Sequence, residues 1–162
     1  MKRKFNWLVG LLLSPLACVL LSPPPVQAAL PATGYVTNYS GVPLSGQCVP
    51  SARSLAAKLV TANIPALGAN GVAADLWNVA TPDFSKVPRL LNGQVRIPPE
   101  KSFIIWSRAV GGTGHVAMVV GVVDGPRRIV RVVDTNWGLD GRGQIHDVNL
   151  DNANILGYLI KK

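Results

Sequence analysis

Apolar residues recur with a helical period in one part of the chain and form longer runs in another. Between Cys48 and Ala62 an apolar stripe follows helical spacing, at Ala52, Leu55, Ala56, Leu59 and Val60. This stripe predicts a helix over residues 48–62, and Pro50 suits its first turn because no backbone N–H is required there. Residues 72–79 are predicted to form a second, shorter helix.

The second half of the chain has the pattern of β-strands. Strands are predicted at Ser102–Ser107, His115–Val123, Ile129–Asp134 and Ile155–Ile160. The run from His115 is nearly all apolar, which is typical of a strand buried on both faces. Asp124-Gly125-Pro126 predicts a hairpin turn, whereas residues 81–99 are expected to be a long connection. Helices followed by strands indicate an α+β fold with an antiparallel sheet.

The first 28 residues have the order of a secretory signal peptide. A cationic start at residues 2–4 is followed by an apolar run from Leu8 to Leu21 and by three prolines at 23–25. Ala28 offers a cleavage position before Ala29. The apolar run is shorter than the ~20 residues that a spanning helix needs, so a membrane anchor is the weaker alternative. We therefore expect a secreted or periplasmic protein with no stable membrane span after cleavage.

The mature chain has a positive charge and room for one domain. Residues 29–45, rich in Gly, Pro, Ser and Thr, are predicted to be a leader segment with a short strand near Tyr35–Val36, and residues 46–162 a single domain. Cleavage removes three of the 16 basic residues and none of the 8 acidic ones, which leaves 13 against 8. This balance favours an anionic polymer such as a bacterial wall. Nucleic acid is not expected as a partner, because the chain is exported and carries no nucleic-acid motif.

One cysteine stays in the mature chain and lies at the start of the predicted helix. Cleavage removes Cys18, so Cys48 has no intramolecular disulfide partner. At a helix start the thiol meets unpaired backbone N–H groups and the positive end of the helix dipole. Both favour the nucleophilic thiolate. Cys48 is therefore a candidate nucleophile, with a buried inert thiol and an intermolecular disulfide as the alternatives.

A cysteine nucleophile needs a base and a group that orients the base. His115 heads a long apolar strand, whereas His146 lies in a polar, glycine-rich stretch where solvent is its simplest environment, so we favour His115. In the predicted hairpin the end of one strand lies beside the start of the other, which brings Asp134 near His115. Asn136 shares a face with Asp134. The alternative is that both residues merely begin a turn.

Three segments together resemble the CHAP domain, the cysteine, histidine-dependent amidohydrolase/peptidase family. They are Gly46-Gln47-Cys48 before a helix, Gly114-His115-Val116-Ala117-Met118-Val119 on a strand, and Asp134-Thr135-Asn136-Trp137 at the end of the next strand. Residues 99–106 are also similar to the strand that precedes the histidine of that family. The resemblance covers nearly all of the mature chain. It implies a papain-like or NlpC/P60-like fold, with N-terminal helices packed on an antiparallel half-barrel.

The resemblance also implies the chemistry, which is amide hydrolysis, most often in peptidoglycan, at the sugar–peptide bond or a peptide cross-link. Cys48 carries over as nucleophile and His115 as base, and Gln47 matches a glutamine that could serve the oxyanion hole. The family commonly has Glu-x-Asn where this chain has Asp134-Thr135-Asn136, which leaves open whether Asp134 or Asn136 orients the ring.

The remaining expectations concern ligands and competing functions. Trp137 follows the proposed third residue and could line a substrate groove, although aromatic residues often belong to the core. One cysteine and two distant histidines do not form a metal-ligand cluster, so neither a metal nor another cofactor is expected. We expect a monomer that acts on peptidoglycan or its stem peptides. The alternative function is a non-catalytic envelope module that binds peptides or wall on the same fold.

Overall fold

The computed structural model describes residues 29–67 and 71–162; the predicted signal peptide lies outside them. In this part of the chain the strands are β1 (Gly34–Val36), β2 (Asn38–Tyr39), β3 (Val42–Pro43), β4 (Phe84–Pro88), β5 (Leu90–Leu91), β6 (Gln94–Val95), β7 (Phe103–Trp106), β8 (His115–Asp124), β9 (Ile129–Thr135), β10 (Gly143–Asn149) and β11 (Ile155–Lys161). Seven of them form an antiparallel sheet in the order β1-β10-β9-β8-β7-β11-β4. The pairs β2-β3 and β5-β6 form small separate ribbons.

The described residues contain one α-helix, α1 (Cys48–Leu55), rather than the several helices that the resemblance implies. A π-helical turn, Ala56–Val60, continues α1, and Thr61 ends it in the left-handed conformation at φ 52°. The predicted helix over 48–62 is therefore slightly shorter than expected. The predicted second helix is a 3₁₀ helix, Ala73–Trp77. No helix within the described ranges is both long and apolar enough to cross a bilayer.

The main sheet is buried on both faces, which explains the continuous apolar run of β8. Successive side chains of a strand point to opposite faces, so Val116 and Met118 join one cluster while Ala117 and Val119 join the other. The first cluster includes Leu55 of α1. The overall class, α+β with an antiparallel sheet, is as predicted. The hairpin turn between β8 and β9 also lies where it was expected.

Two stretches contain more strands than predicted, although the short strand expected near Tyr35–Val36 is present as β1 (Gly34–Val36). The long connection expected at 81–99 is wrong, because β4 pairs with β11 and the β5-β6 ribbon follows. The stretch is hard to recognise because β4 lies at the sheet edge, where a strand tolerates a proline such as Pro88. The segment expected as a leader holds β1, β2 and β3, and β1 pairs with β10. The sequence patterns also missed β10.

Candidate active site

The first turn of α1 is fixed against the sheet. Cys48 is the first residue of α1 and is 8% exposed, and Gln47 before it has an extended backbone. One turn further on, the Thr135 hydroxyl of β9 donates a hydrogen bond of 2.9 Å to the Ser51 Oγ, and both side chains are buried. This contact ties the helix start to the end of β9. The thiol is thereby held beside the residues at that end of the sheet.

Gly114 determines how the chain enters β8 and therefore where His115 lies. Its φ is +73°, and a Cβ at this position would lie 2.6 Å from the Trp106 carbonyl oxygen and 2.7 Å from the Ala74 Cβ. Glycine alone avoids both the strained backbone and the collision. His115 follows as the first residue of β8, with 4% of its surface exposed.

A buried ion pair joins His115 to Asp134. The His115 Nε2 is 2.9 Å from the Asp134 Oδ2, and Asp134 is 2% exposed. Burial by itself lowers the pKa of His115, but hydrogen bonds and charge interactions with Asp134 and Cys48 outweigh it and raise the pKa to about 9. Burial favours neutral Asp134, yet its hydrogen bonds to two histidines hold its pKa below the usual value. Because Asp134 occupies Nε2, Nδ1 is the ring nitrogen left for the thiol.

Asn136 contacts Gln47 and not the histidine ring. Its Oδ1 accepts a hydrogen bond of 2.8 Å from the backbone N–H of Gly141, and its Nδ2 donates one of 3.0 Å to the Gln47 Oε1. Because the Gly141 N–H is a donor, the Asn136 atom that it meets must be the oxygen. The other Asn136 atom is then the Nδ2 donor, so the Gln47 atom that it meets must be the accepting Oε1. The Gln47 Nε2 is then the end free to donate. Of the two candidates to orient the ring, Asp134 makes the hydrogen bond.

His146 is a site residue that the sequence reasoning missed. It lies on β10 with 15% of its side chain exposed, and its Nε2 is 2.8 Å from the same Asp134 oxygen that binds His115. The expectation of a solvent environment is therefore wrong. A turn at residues 136–141 was the feature that could have revealed His146. This turn pairs Gln144 with Asp134 and places His146 two residues after Gln144, on the same face of the sheet. Even so, no group of three potential metal ligands is found within the described residues.

Trp137 packs among the rings of the site. Its centroid lies 4.9 Å from that of His115 in an edge-to-face arrangement, 4.8 Å from that of His146 and 5.3 Å from that of Trp106. Such contacts restrict the positions of both imidazoles. Trp137 also lines a cavity of about 120 Å³ together with Cys48 and His115. The tryptophan thus belongs both to the packing and to the wall of the site.

Cys48 lines two cavities. The smaller one is lined by His115, and a larger one of about 350 Å³ also has Cys48 in its wall. Apolar residues, including Val49 and Leu67, line much of the larger cavity, and Arg53 is the one charged side chain among its described lining residues. The Arg53 Nε donates a hydrogen bond of 3.1 Å to the Ile64 carbonyl, which anchors the guanidinium there.

Comparisons with known proteins bear on the fold. No family model matches the sequence, and no curated protein sequence matches it. Among solved structures the chain resembles the wild-type endolysin LysIME-EF1, with a TM-score of 0.54 and 15% sequence identity. The match covers 79% of this chain and 57% of the endolysin, so the chain spans little more than half of that protein's length. The α+β fold described above is therefore similar to one found in an endolysin.

Proposed function

We propose that the protein is an exported cysteine amidase or endopeptidase that hydrolyses amide bonds of peptidoglycan. The observation that carries this proposal is the buried His115–Asp134 pair, which adjoins a thiol at the head of α1. The fold shared with an endolysin supports a wall substrate. We assign the chain to a papain-like fold of the CHAP type, in which the main sheet corresponds to the half-barrel.

In the first step the Cys48 thiolate attacks the amide carbonyl carbon, and the carbonyl becomes a tetrahedral oxyanion. We assign the backbone N–H of Cys48 and the Gln47 Nε2 as the two donors that stabilise that oxygen. Asn136 keeps the Gln47 amide in the required orientation, because it occupies the Gln47 Oε1. Charged donors are not needed, since the dipole of α1 also favours negative charge at this end.

In the second step the oxyanion collapses and the carbon–nitrogen bond breaks. The imidazolium of His115 gives its Nδ1 proton to the departing amine, which leaves an acyl-thioester on Cys48. Neutral His115 then takes a proton from water as the water oxygen attacks the thioester carbon. The carbon–sulfur bond breaks, and the acid product leaves with the Cys48 thiolate and the His115 imidazolium restored. Asp134 stays bound to Nε2 throughout and stabilises the ring whenever it is charged.

The larger cavity gives one side of the substrate a place to bind. Its apolar wall fits short side chains such as those of stem alanines, and Arg53 fits a carboxylate of the stem peptide. The whole sequence has 16 basic and 8 acidic residues, and the mature chain keeps 13 basic and 8 acidic ones. This positive charge adds a general attraction to an anionic wall. Secretion through the predicted signal peptide would deliver the enzyme to that substrate.

The test is hydrolysis of purified peptidoglycan, followed by mass spectrometry of the soluble muropeptides. Cys48→Ala should abolish release, while Ser54→Ala on the exposed side of α1 should retain it. New amino groups on stem alanine would identify an amidase, and shortened cross-bridges an endopeptidase. Wild-type turnover by folded Cys48→Ala would refute the mechanism. Wall binding without turnover by the wild-type protein would instead favour the non-catalytic binding module.

A further inference from the structure

We infer that His146 is a positioning residue that holds the Asp134 carboxylate against His115. The inference rests on the proposed function, in which His115 is the base and Asp134 its partner. His146 does not line either cavity beside Cys48. It acts on the reaction through Asp134, with which it forms a hydrogen bond of 2.8 Å.

The geometry of the carboxylate is unusual because one oxygen makes both bonds. The Asp134 Oδ2 meets the Nε2 of His115 at 2.9 Å and the Nε2 of His146 at 2.8 Å. The Asp134 Oδ1 is buried and has no hydrogen-bond partner among the described residues. Rotation of a carboxylate about its last bond is soft. A second donor on the same oxygen restricts that rotation more tightly than His115 alone does.

The other charged groups near His146 are engaged elsewhere. Asp147, its neighbour on β10, points to the opposite face of the sheet and pairs with Arg131 at 2.7 Å. At the exposed edge, Arg142 lies over the Tyr35 ring at 5.1 Å. From β9, Val132 is directly opposite His146. Asp134 is thus the charged group in hydrogen-bond contact with His146 among the described residues.

Removal of the His146 donor should weaken the His115–Asp134 pair but leave both of its residues in the site. We expect kcat to fall about ten- to a hundredfold, the loss that follows when one hydrogen bond to a charged group is removed. KM should stay unchanged, because His146 does not line the cavities. The alkaline limit of activity should move to lower pH, since a loosened Asp134 retains the His115 proton less well.

The experiment compares His146→Phe, His146→Gln and His146→Asn with the wild-type protein. Phenylalanine fills the space and has no donor, glutamine keeps an N–H at similar reach, and asparagine keeps the polarity but is too short. Gln144→Ala is the matched control, because Gln144 lies directly opposite Asp134 on the same strand as His146. We expect glutamine to restore most of the rate lost in the phenylalanine and asparagine variants, and the control to behave as wild type.

Alkylation of Cys48 by iodoacetamide at several pH values provides a second measurement. Mass spectrometry of the Cys48 peptide measures how reactive the thiol is beside the imidazole, whether or not peptidoglycan is the substrate. A failure of the proposed function can therefore be distinguished from a failure of this inference. The phenylalanine variant should be alkylated more slowly at mildly acidic pH. Unchanged kcat, pH profile and alkylation in folded His146→Phe would overturn the inference. If His146→Phe does not fold, the inference would be overturned by glutamine and asparagine variants with the same kcat, pH profile and alkylation rate.

Discussion

Replacement of Asp134 by asparagine removes the charge that retains the proton of His115 and nearly preserves the side-chain shape. The pKa of His115 stands at about 9 against its ordinary 6.5, a difference that corresponds to about 3 kcal/mol of preference for the charged ring. Asp134 supplies the largest favourable part through its hydrogen bond and its charge. The variant should therefore lose most of the imidazolium at moderately alkaline pH.

The size of the effect follows from the protonated fraction. At pH 8 a ring with a pKa of about 9 is about nine-tenths protonated, whereas one at 6.5 is roughly 3% protonated. A ring returned to its ordinary pKa would therefore lower the hydrolysis rate at pH 8 about thirtyfold; after Asp134→Asn, burial still lowers that pKa and Cys48 still raises it. The alkaline limit of Asp134→Asn should move from near pH 9 toward pH 6.5. A wrongly oriented ring would add to the loss.

The assay is the initial rate of peptidoglycan solubilisation between pH 5 and 10, with circular dichroism as the check of folding. Asp147→Asn is the matched control, because it removes the same charge from the neighbouring strand, where the carboxylate pairs with Arg131. The control should keep the wild-type profile. An Asp134→Asn protein that is folded and has the same alkaline limit as wild type would refute the reasoning.

Three further predictions address stability and the rest of the site. His115 binds its proton more tightly in the folded protein than in the unfolded chain. Its contribution to stability is therefore complete below pH 6.5 and is lost as pH rises through about 9. Asp134 contributes to stability above about pH 3.8, and this contribution is lost as pH falls through its lowered pKa. The midpoint of thermal unfolding should be highest between these limits, and a midpoint that rises toward pH 9 would contradict this. Gly114→Ala should lower that midpoint and reduce the rate further than the unfolded fraction explains, because the added Cβ collides with backbone atoms beside His115. Asn136→Ala should reduce kcat about tenfold through a misoriented Gln47 while the alkaline limit stays in place, and a shifted limit would point to a direct role at the ring.

The strands that bury both faces were predictable from the sequence, whereas β10 and the edge strand β4 were not. The run from His115 is apolar because side chains from β8 enter both clusters. β10 carries Gln144, His146 and Asp147 instead, because its polar groups serve the site and the surface. The hydrophobic pattern of a sequence does not reveal a strand whose side chains serve mainly in hydrogen bonds. The short edge strand β4 escapes it for a similar reason, since one of its neighbours is solvent.

Most residues of the candidate site could be predicted from the sequence, but His146 and the hydrogen-bond network could not. The positions of Cys48 at a helix start and of His115 and Asp134 across a hairpin follow from local spacing. Which of Asp134 and Asn136 faces the ring depends on the left-handed backbone of Asn136, at φ 66°, which turns that side chain toward Gln47. Such a conformation depends on the closure of the loop, and the loop residues alone do not reveal it.

The pairing of β1 with β10 has a practical consequence for expression of this protein. A recombinant form that began at residue 46 would lose β1 and also Val42 and Leu44, which are buried in the core. The backbone of the strand that carries His146 would then lie bare at the margin of the sheet. Uncovered strands of this kind recruit other chains, so such a shortened form should precipitate or associate, and an inactive preparation would reveal nothing about the chemistry.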